Sequence, residues 1–215
     1  MSHFITLVFT KDNGKSVEEL LAPYDENIVY VPYVRYTREQ AIKQVRKDIE
    51  EYKKTIYAEY LANPEAYEHK YETNKKHINY LKNEFPQELT WSDEQCYEYM
   101  KQFFENEMVT PNGDLLSTYN PNSKWDWYVI GGRWDKSLKT LSGEEVNEAY
   151  VNEIDWTKTT PFAYVTPDGN WHEQGEMGWF ACVSNEKDKE SWKTEFKEFV
   201  KTLDDVIVTV VDCHI

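Results

Sequence analysis

Three of the five histidines lie where acid–base or metal chemistry can be assembled: His3, His172 and His214. The last ten residues, Val206-Ile-Val-Thr-Val-Val-Asp-Cys-His-Ile215, are β-branched and read as a strand. In a strand Val208, Val210, Asp212 and His214 share one face, and Cys213 takes the other, so Cys213 and His214 do not form a Cys–His dyad. His3 opens a second β-rich segment, residues 3–10. If the two strands are antiparallel neighbours, His3 meets His214. Trp171-His-Glu-Gln-Gly-Glu176 adds His172, Glu173 and Glu176. Two or three of these histidines with Asp212 or Glu176 make a metal site or a histidine acid/base pair. The spacing matches no standard zinc signature, and the plainer alternative is a set of polar residues tied to a sheet edge.

The second chemically dense stretch is Asn120-Pro-Asn-Ser-Lys-Trp-Asp-Trp-Tyr-Val-Ile-Gly-Gly-Arg-Trp-Asp135. Taken as a two-residue turn, Gly131-Gly132 pairs Ile130 with Arg133 and Val129 with Trp134. That hairpin puts Trp125, Trp127, Val129 and Trp134 on one face, expected to be core. Asp126, Tyr128, Ile130, Arg133 and Asp135 fall on the other. Two readings of this polar face stand. Arg133 pairs with Asp126 or Asp135 in a satisfied network, or Arg133 meets an anionic group while tryptophans stack a flat ring, as a nucleotide-like ligand requires. The candidate ligand-binding set is therefore Asp126, Tyr128, Arg133, Asp135, His172 and Glu176, with no metal and no cofactor assigned.

Composition narrows the partners. The 215 residues carry 24 Lys+Arg against 39 Asp+Glu, a net charge of −15. The longest basic run is Lys75-Lys76, so direct binding to duplex nucleic acid is not expected. Such a charge serves solubility, or docking on a basic partner. Three cysteines without CxxC spacing argue for a reducing, cytoplasmic setting. Met1–Thr10 has no basic n-region and reads as a strand, and no apolar run approaches the roughly 20 residues that span a bilayer.

The elements that must position these residues follow from periodicity. Ser16-Val-Glu-Glu19 is a capping box that opens a short helix ending before Pro23. Residues 23–36 are irregular and tyrosine-rich. Thr37-Arg-Glu-Gln40 and Ser92-Asp-Glu-Gln95 are further capping boxes, and Ala41, Val45, Ile49, Tyr52, Ile56 and Tyr60 recur at helical spacing. Residues 37–107 are thus a helical block inserted in a single domain, 1–215, with an αα-hairpin at its centre. Within it, His69 and His77 are surface or helix-packing residues. Pro167-Asp-Gly169 marks a hairpin, Met177–Val183 a strand, and Asp188–Leu203 a helix with Trp192, Phe196 and Val200 inward. The fold class is α+β: a mainly antiparallel sheet from the N-terminal strand and the C-terminal half, with both terminal strands central.

Several segments together carry a resemblance: Met1-Ser-His-Phe, Leu21-Ala-Pro-Tyr-Asp-Glu-Asn27, Tyr119-Asn-Pro-Asn-Ser-Lys-Trp-Asp-Trp-Tyr128 with Ile130-Gly-Gly-Arg-Trp134, Gly175-Glu-Met-Gly-Trp179 and Val211-Asp-Cys-His214. Spread over nearly the whole chain, they resemble a family of uncharacterised proteins encoded mostly by bacteriophages and prophages. The resemblance implies a phage accessory protein in the host cytoplasm. By analogy of genetic context, it implies a counter-defence factor that binds a host protein or a nucleotide-like small molecule. The alternative expectation is a small metal- or histidine-dependent hydrolase or phosphodiesterase using His172, His214 and acidic neighbours.

Overall fold

The computed structural model describes residues 2–178 and 182–215. The chain separates into two compact units, Met1–Val29 with Tyr119–Ile215, and Tyr30–Thr118. The first is α+β, built on a mixed, mostly antiparallel six-stranded sheet, and the second holds the helical block.

In the first unit we label β1 (His3–Lys11), α1 (Val17–Leu21), β2 (Trp127–Ile130), β3 (Glu148–Tyr150), β4 (Ala163–Val165), β5 (Trp171–Glu173), α2 (Lys189–Lys201) and β6 (Val206–His214). The strand order is β2-β6-β1-β4-β5, with β3 also paired to β6. The two terminal strands are central, as their β-branched composition predicts. They pair antiparallel along their whole length, from His3↔His214 to Lys11↔Val206. β4 runs parallel to β1, and β4 and β5 form the expected hairpin, with Gly169 at φ 95° in its turn.

The pleat sorts side chains onto two faces. On one, Leu7, Phe9, Val206, Val208 and Val210 pack against Trp192, Phe196 and Val200 of α2. Asp188 caps this helix, and the indole N–H of Trp192 donates to the Pro161 carbonyl at 2.7 Å. On the other face Phe4, Val8, Ala163, Val165, Val211 and Cys213 pack with Leu20 and Leu21 of α1 and with Trp125. The strand expected over Met177–Val183 is not one strand. Met177 pairs with Val183 in a small antiparallel ladder, and Gly178 donates its N–H to the Cys182 carbonyl. Residues 179–181 lie outside the described residues.

In the second unit both expected capping boxes form. Thr37 and Ser92 form complete capping boxes, and Asn63 caps Pro64–Lys70. Tyr60, Tyr67 and Leu81 form one small core and Ala41, Tyr97 and Leu115 another. His77 is a packing residue, its Nε2 3.0 Å from the Tyr67 hydroxyl. Among the described residues no helix is long and apolar enough to cross a membrane.

Candidate functional site

At the His3 end of the sheet, the face that holds Leu7 and Val210 becomes polar. His3, Asp212 and His214 continue its alternation, and β2 adds Trp127 and Val129 through the pairs His214↔Trp127 and Asp212↔Val129. The two imidazoles stand edge to face, with centroids 4.8 Å apart.

Each histidine has its own carboxylate. His3 Nδ1 lies 2.9 Å from Asp212 Oδ1, and His214 Nδ1 lies 2.6 Å from Asp126 Oδ1. An ionised carboxylate only accepts, so in both pairs Nδ1–H donates, and the working atom of each neutral ring is an unprotonated Nε2. This is the arrangement in which a carboxylate fixes the tautomer and orientation of a catalytic base. His214 is only 5 % exposed, and its Nε2 is buried without any hydrogen-bond partner among the described residues. A buried polar atom left unpaired costs about 1–3 kcal/mol, so this nitrogen is the atom of the pair with most to gain from a further hydrogen-bond partner.

The local sequence explains the placement. Asp126 precedes β2, and its backbone N–H donates to the His214 carbonyl at 2.9 Å, which swings its side chain over the end of β6. The amide of Asn27 donates to the Asp126 carbonyl from the other side, at 2.9 Å. Asp212, 2 % exposed, uses both oxygens: Oδ1 for His3, and Oδ2 for the backbone N–H of Arg133 at 3.0 Å. Gly132, at φ 55°, makes that second bond possible. A Cβ there would sit 2.5 Å from Asp212 Oδ2 and 2.8 Å from Val129 Cγ1, so only glycine lets the backbone come this close. Trp127 stacks on the His214 ring at 5.1 Å and 17° and stays 44 % exposed, a flat cover over the pair.

No protein-family model, no curated protein and no solved structure matches the chain. The site is therefore read from its own geometry. Buried Asn120 donates to the carbonyls of Pro23 and Asp25, Trp125 Nε1 donates to the Leu21 carbonyl, and Ser2 Oγ donates to the Gly178 carbonyl.

Several expectations for the Asn120–Asp135 stretch are corrected. Gly131-Gly132 is not a two-residue hairpin turn. Both glycines have positive φ, but Gly132–Trp134 continues as a 3₁₀ turn toward Asp212 instead of returning as a strand. The expected faces fail with it. Trp125 is core, but Trp127 is not, because α2 covers the other end of that face. Tyr128, placed on the polar face by the sequence, is partly buried in the apolar layer and meets Trp125 edge to face at 5.0 Å. Arg133 pairs with neither Asp126 nor Asp135: Asp126 serves His214, and Asp135 accepts from Asn147 Nδ2 at 2.7 Å. The Arg133 guanidinium is exposed and has no hydrogen bond or salt bridge among the described residues.

The histidine constellation is split. His172 stacks flat on Tyr164 at 4.7 Å and 7°, on the strand at the far edge of the sheet from β2. Glu173 pairs with Lys124 at 2.5 Å, and Glu176 is exposed beside Ser184. Among the described residues no three His, Cys, Asp or Glu side chains are grouped to hold a metal ion. Cys213 lies in the opposite, apolar layer, where burial pushes its thiol up to about 12, the reverse of an activated nucleophile. Sequence reasoning missed Asp126 as the partner of His214, Trp127 as its cover and Gly132 as the support of Asp212. All three follow from β2 pairing with β6, a long-range pairing that local pattern does not encode.

Proposed function

We propose that the first unit is a histidine-dependent acid–base catalyst acting on a phosphate ester of nucleotide type, with His3 and His214 as the proton-transfer groups. The observation that carries this reading is the buried Nε2 of His214, without a partner among the described residues while its Nδ1 is held by Asp126, beside a second imidazole held by Asp212. Two orientated imidazoles divide the work of phosphodiester cleavage. One ring, neutral, takes the proton of the attacking water or hydroxyl at its Nε2, and the other, in its protonated imidazolium form, gives its Nε2 proton to the leaving oxygen. The exposed ring of Trp127 supplies a stacking surface for a base, and the unpaired Arg133 a cation for phosphate. The test is hydrolysis of a panel of cyclic and linear dinucleotides, and of bis(p-nitrophenyl) phosphate, across pH. Wild-type protein is expected to give a bell-shaped profile, and His214→Ala and His3→Ala to lower kcat/KM by about 10²–10⁴-fold with the fold retained by circular dichroism. Activity that persists in both variants, or none in the wild type, overturns the reading.

A second reading keeps the ligand and omits the turnover: a phage accessory factor that sequesters a nucleotide-like signal, or docks on a basic host protein. The distribution of charge favours its second form, docking on a basic protein. The sheet unit carries 12 Lys+Arg against 23 Asp+Glu, 12 − 23 = −11, whereas Tyr30–Thr118 carries 12 − 16 = −4. The acidic surface thus belongs to the sheet unit, not to the helical block. Stoichiometric nucleotide binding by calorimetry with no product formed selects this reading over catalysis.

A further inference from the structure

In the helical unit, the helices Arg38–Tyr52 and Asp93–Lys101 and the segment between them line a cavity of 170 Å³. Small-molecule pockets run from roughly 300 to 1,000 Å³, so this space takes a head group and not a nucleotide. Its walls are mostly rings. Tyr52 meets Tyr80 edge-on at 5.8 Å and Phe85 at 4.7 Å, and Trp91 lies 5.2 Å from Tyr99, which is 43 % exposed.

Two carboxylates share these walls, and no Lys or Arg does. Glu88 is half-buried. It accepts from the Tyr80 hydroxyl at 2.9 Å and has no salt bridge among the described residues. Asp48 is exposed and accepts only from Gln44. Burial raises the Tyr80 hydroxyl well above its ordinary value, and the Glu88 carboxylate raises it further. Burial also raises the Glu88 carboxyl, against which the hydrogen bond from Tyr80 works, and the lining holds acidic groups and no basic one.

We propose that this cavity is an aromatic cage for a methylated ammonium head group. Ring faces attract a cation through their quadrupole, and Glu88 supplies the opposite charge. The occupant carries no N–H. Glu88 already accepts from Tyr80 and Asp48 from Gln44, and the rings add no strong acceptor, so the three donors of a lysine or the five of an arginine outnumber what the walls offer, whereas a quaternary ammonium needs none. The same chemistry arises in a free choline-like solute or in a trimethyllysine side chain of a partner protein.

Calorimetric titration of the full chain tests this with four probes: choline, its neutral isostere 3,3-dimethyl-1-butanol, a trimethyllysine peptide and the unmodified peptide. Choline or the trimethyllysine peptide is expected to bind and the isostere is not. Glu88→Gln keeps the acceptor for Tyr80 but removes the charge, and Tyr99→Ala removes an exposed wall. Each is expected to weaken binding roughly ten-fold with unchanged melting temperature. A peptide that binds more tightly than choline assigns the site to a protein side chain, and equal binding assigns it to a solute. Binding of the isostere as strong as that of choline, or no binding of either methylammonium probe at millimolar concentration, overturns the proposal. Neither outcome bears on the histidine pair.

Discussion

The two ends of one sheet face differ more than the two faces do. At one end Leu7, Phe9, Val206, Val208 and Val210 bury against α2, and the layer is apolar throughout. At the other end the same strands, in the same register, present His3, Asp212 and His214, with a half-exposed tryptophan in place of the helix. Alternation is unbroken from one end to the other, so the difference is not one of secondary structure. It is the point at which the covering helix stops. Where α2 lies, burial requires hydrocarbon. Beyond it, His3 and His214 are each held by a carboxylate and Asp212 is also held by the Arg133 backbone, while His214 Nε2 is buried without a partner among the described residues.

The contrast can be broken at either end. At the helix-covered end, Phe196→Ala is expected to cost about 3–5 kcal/mol, read by urea denaturation, because Phe196 is fully buried among aromatic neighbours. At the polar end, Gly132→Ala is expected to cost about 1–3 kcal/mol, because it combines a positive φ with overlap on Asp212. It should also disturb the His3 imidazole resonances, which Phe196→Ala should leave in place in the folded fraction. Trp127→Ala is expected to cost no more than about 1 kcal/mol, far below a core tryptophan, while exposing His214 to modification by diethyl pyrocarbonate. Arg133→Ala is expected to change stability by under about 0.5 kcal/mol and to weaken binding of any anionic ligand. A loss for Trp127→Ala as large as that for Phe196→Ala would make both ends scaffold.

What was legible in the sequence follows the range of the interaction that decides it. Capping boxes at Thr37 and Ser92, the helix after Asp188 and the Pro167-Asp-Gly169 hairpin are local, and all formed as read. The meeting of His3 with His214 was also accessible, because two β-rich termini have few better places than the middle of a sheet. The run from Trp125 to Trp134 misled for one physical reason. Two glycines with positive φ serve a hairpin or a tight approach to another strand equally well, and only the position of Asp212 decides between them. With the hairpin gone, Trp127 and Tyr128 exchange faces, and Arg133 is joined to the site through its backbone and not through its charge.

The pairing of β1 with β6 also sets an order of events during synthesis. His3 and His214 emerge from the ribosome 211 residues apart, since 214 − 3 = 211, yet they are register partners. The helical unit, residues 30–118, is made entirely of nearer contacts and is complete while β1 still lacks its main neighbour. The central sheet closes only when Val206–His214 has been made, and the histidine pair is assembled by that same step. Until then β1 has only β4 as a possible strand partner, and its other edge is open to any chaperone or aggregating neighbour. A nascent or truncated chain that ends before Val206 lacks the strand that joins β1 to β2 and lacks His214, so any activity of the pair reports on chains that have been translated through β6.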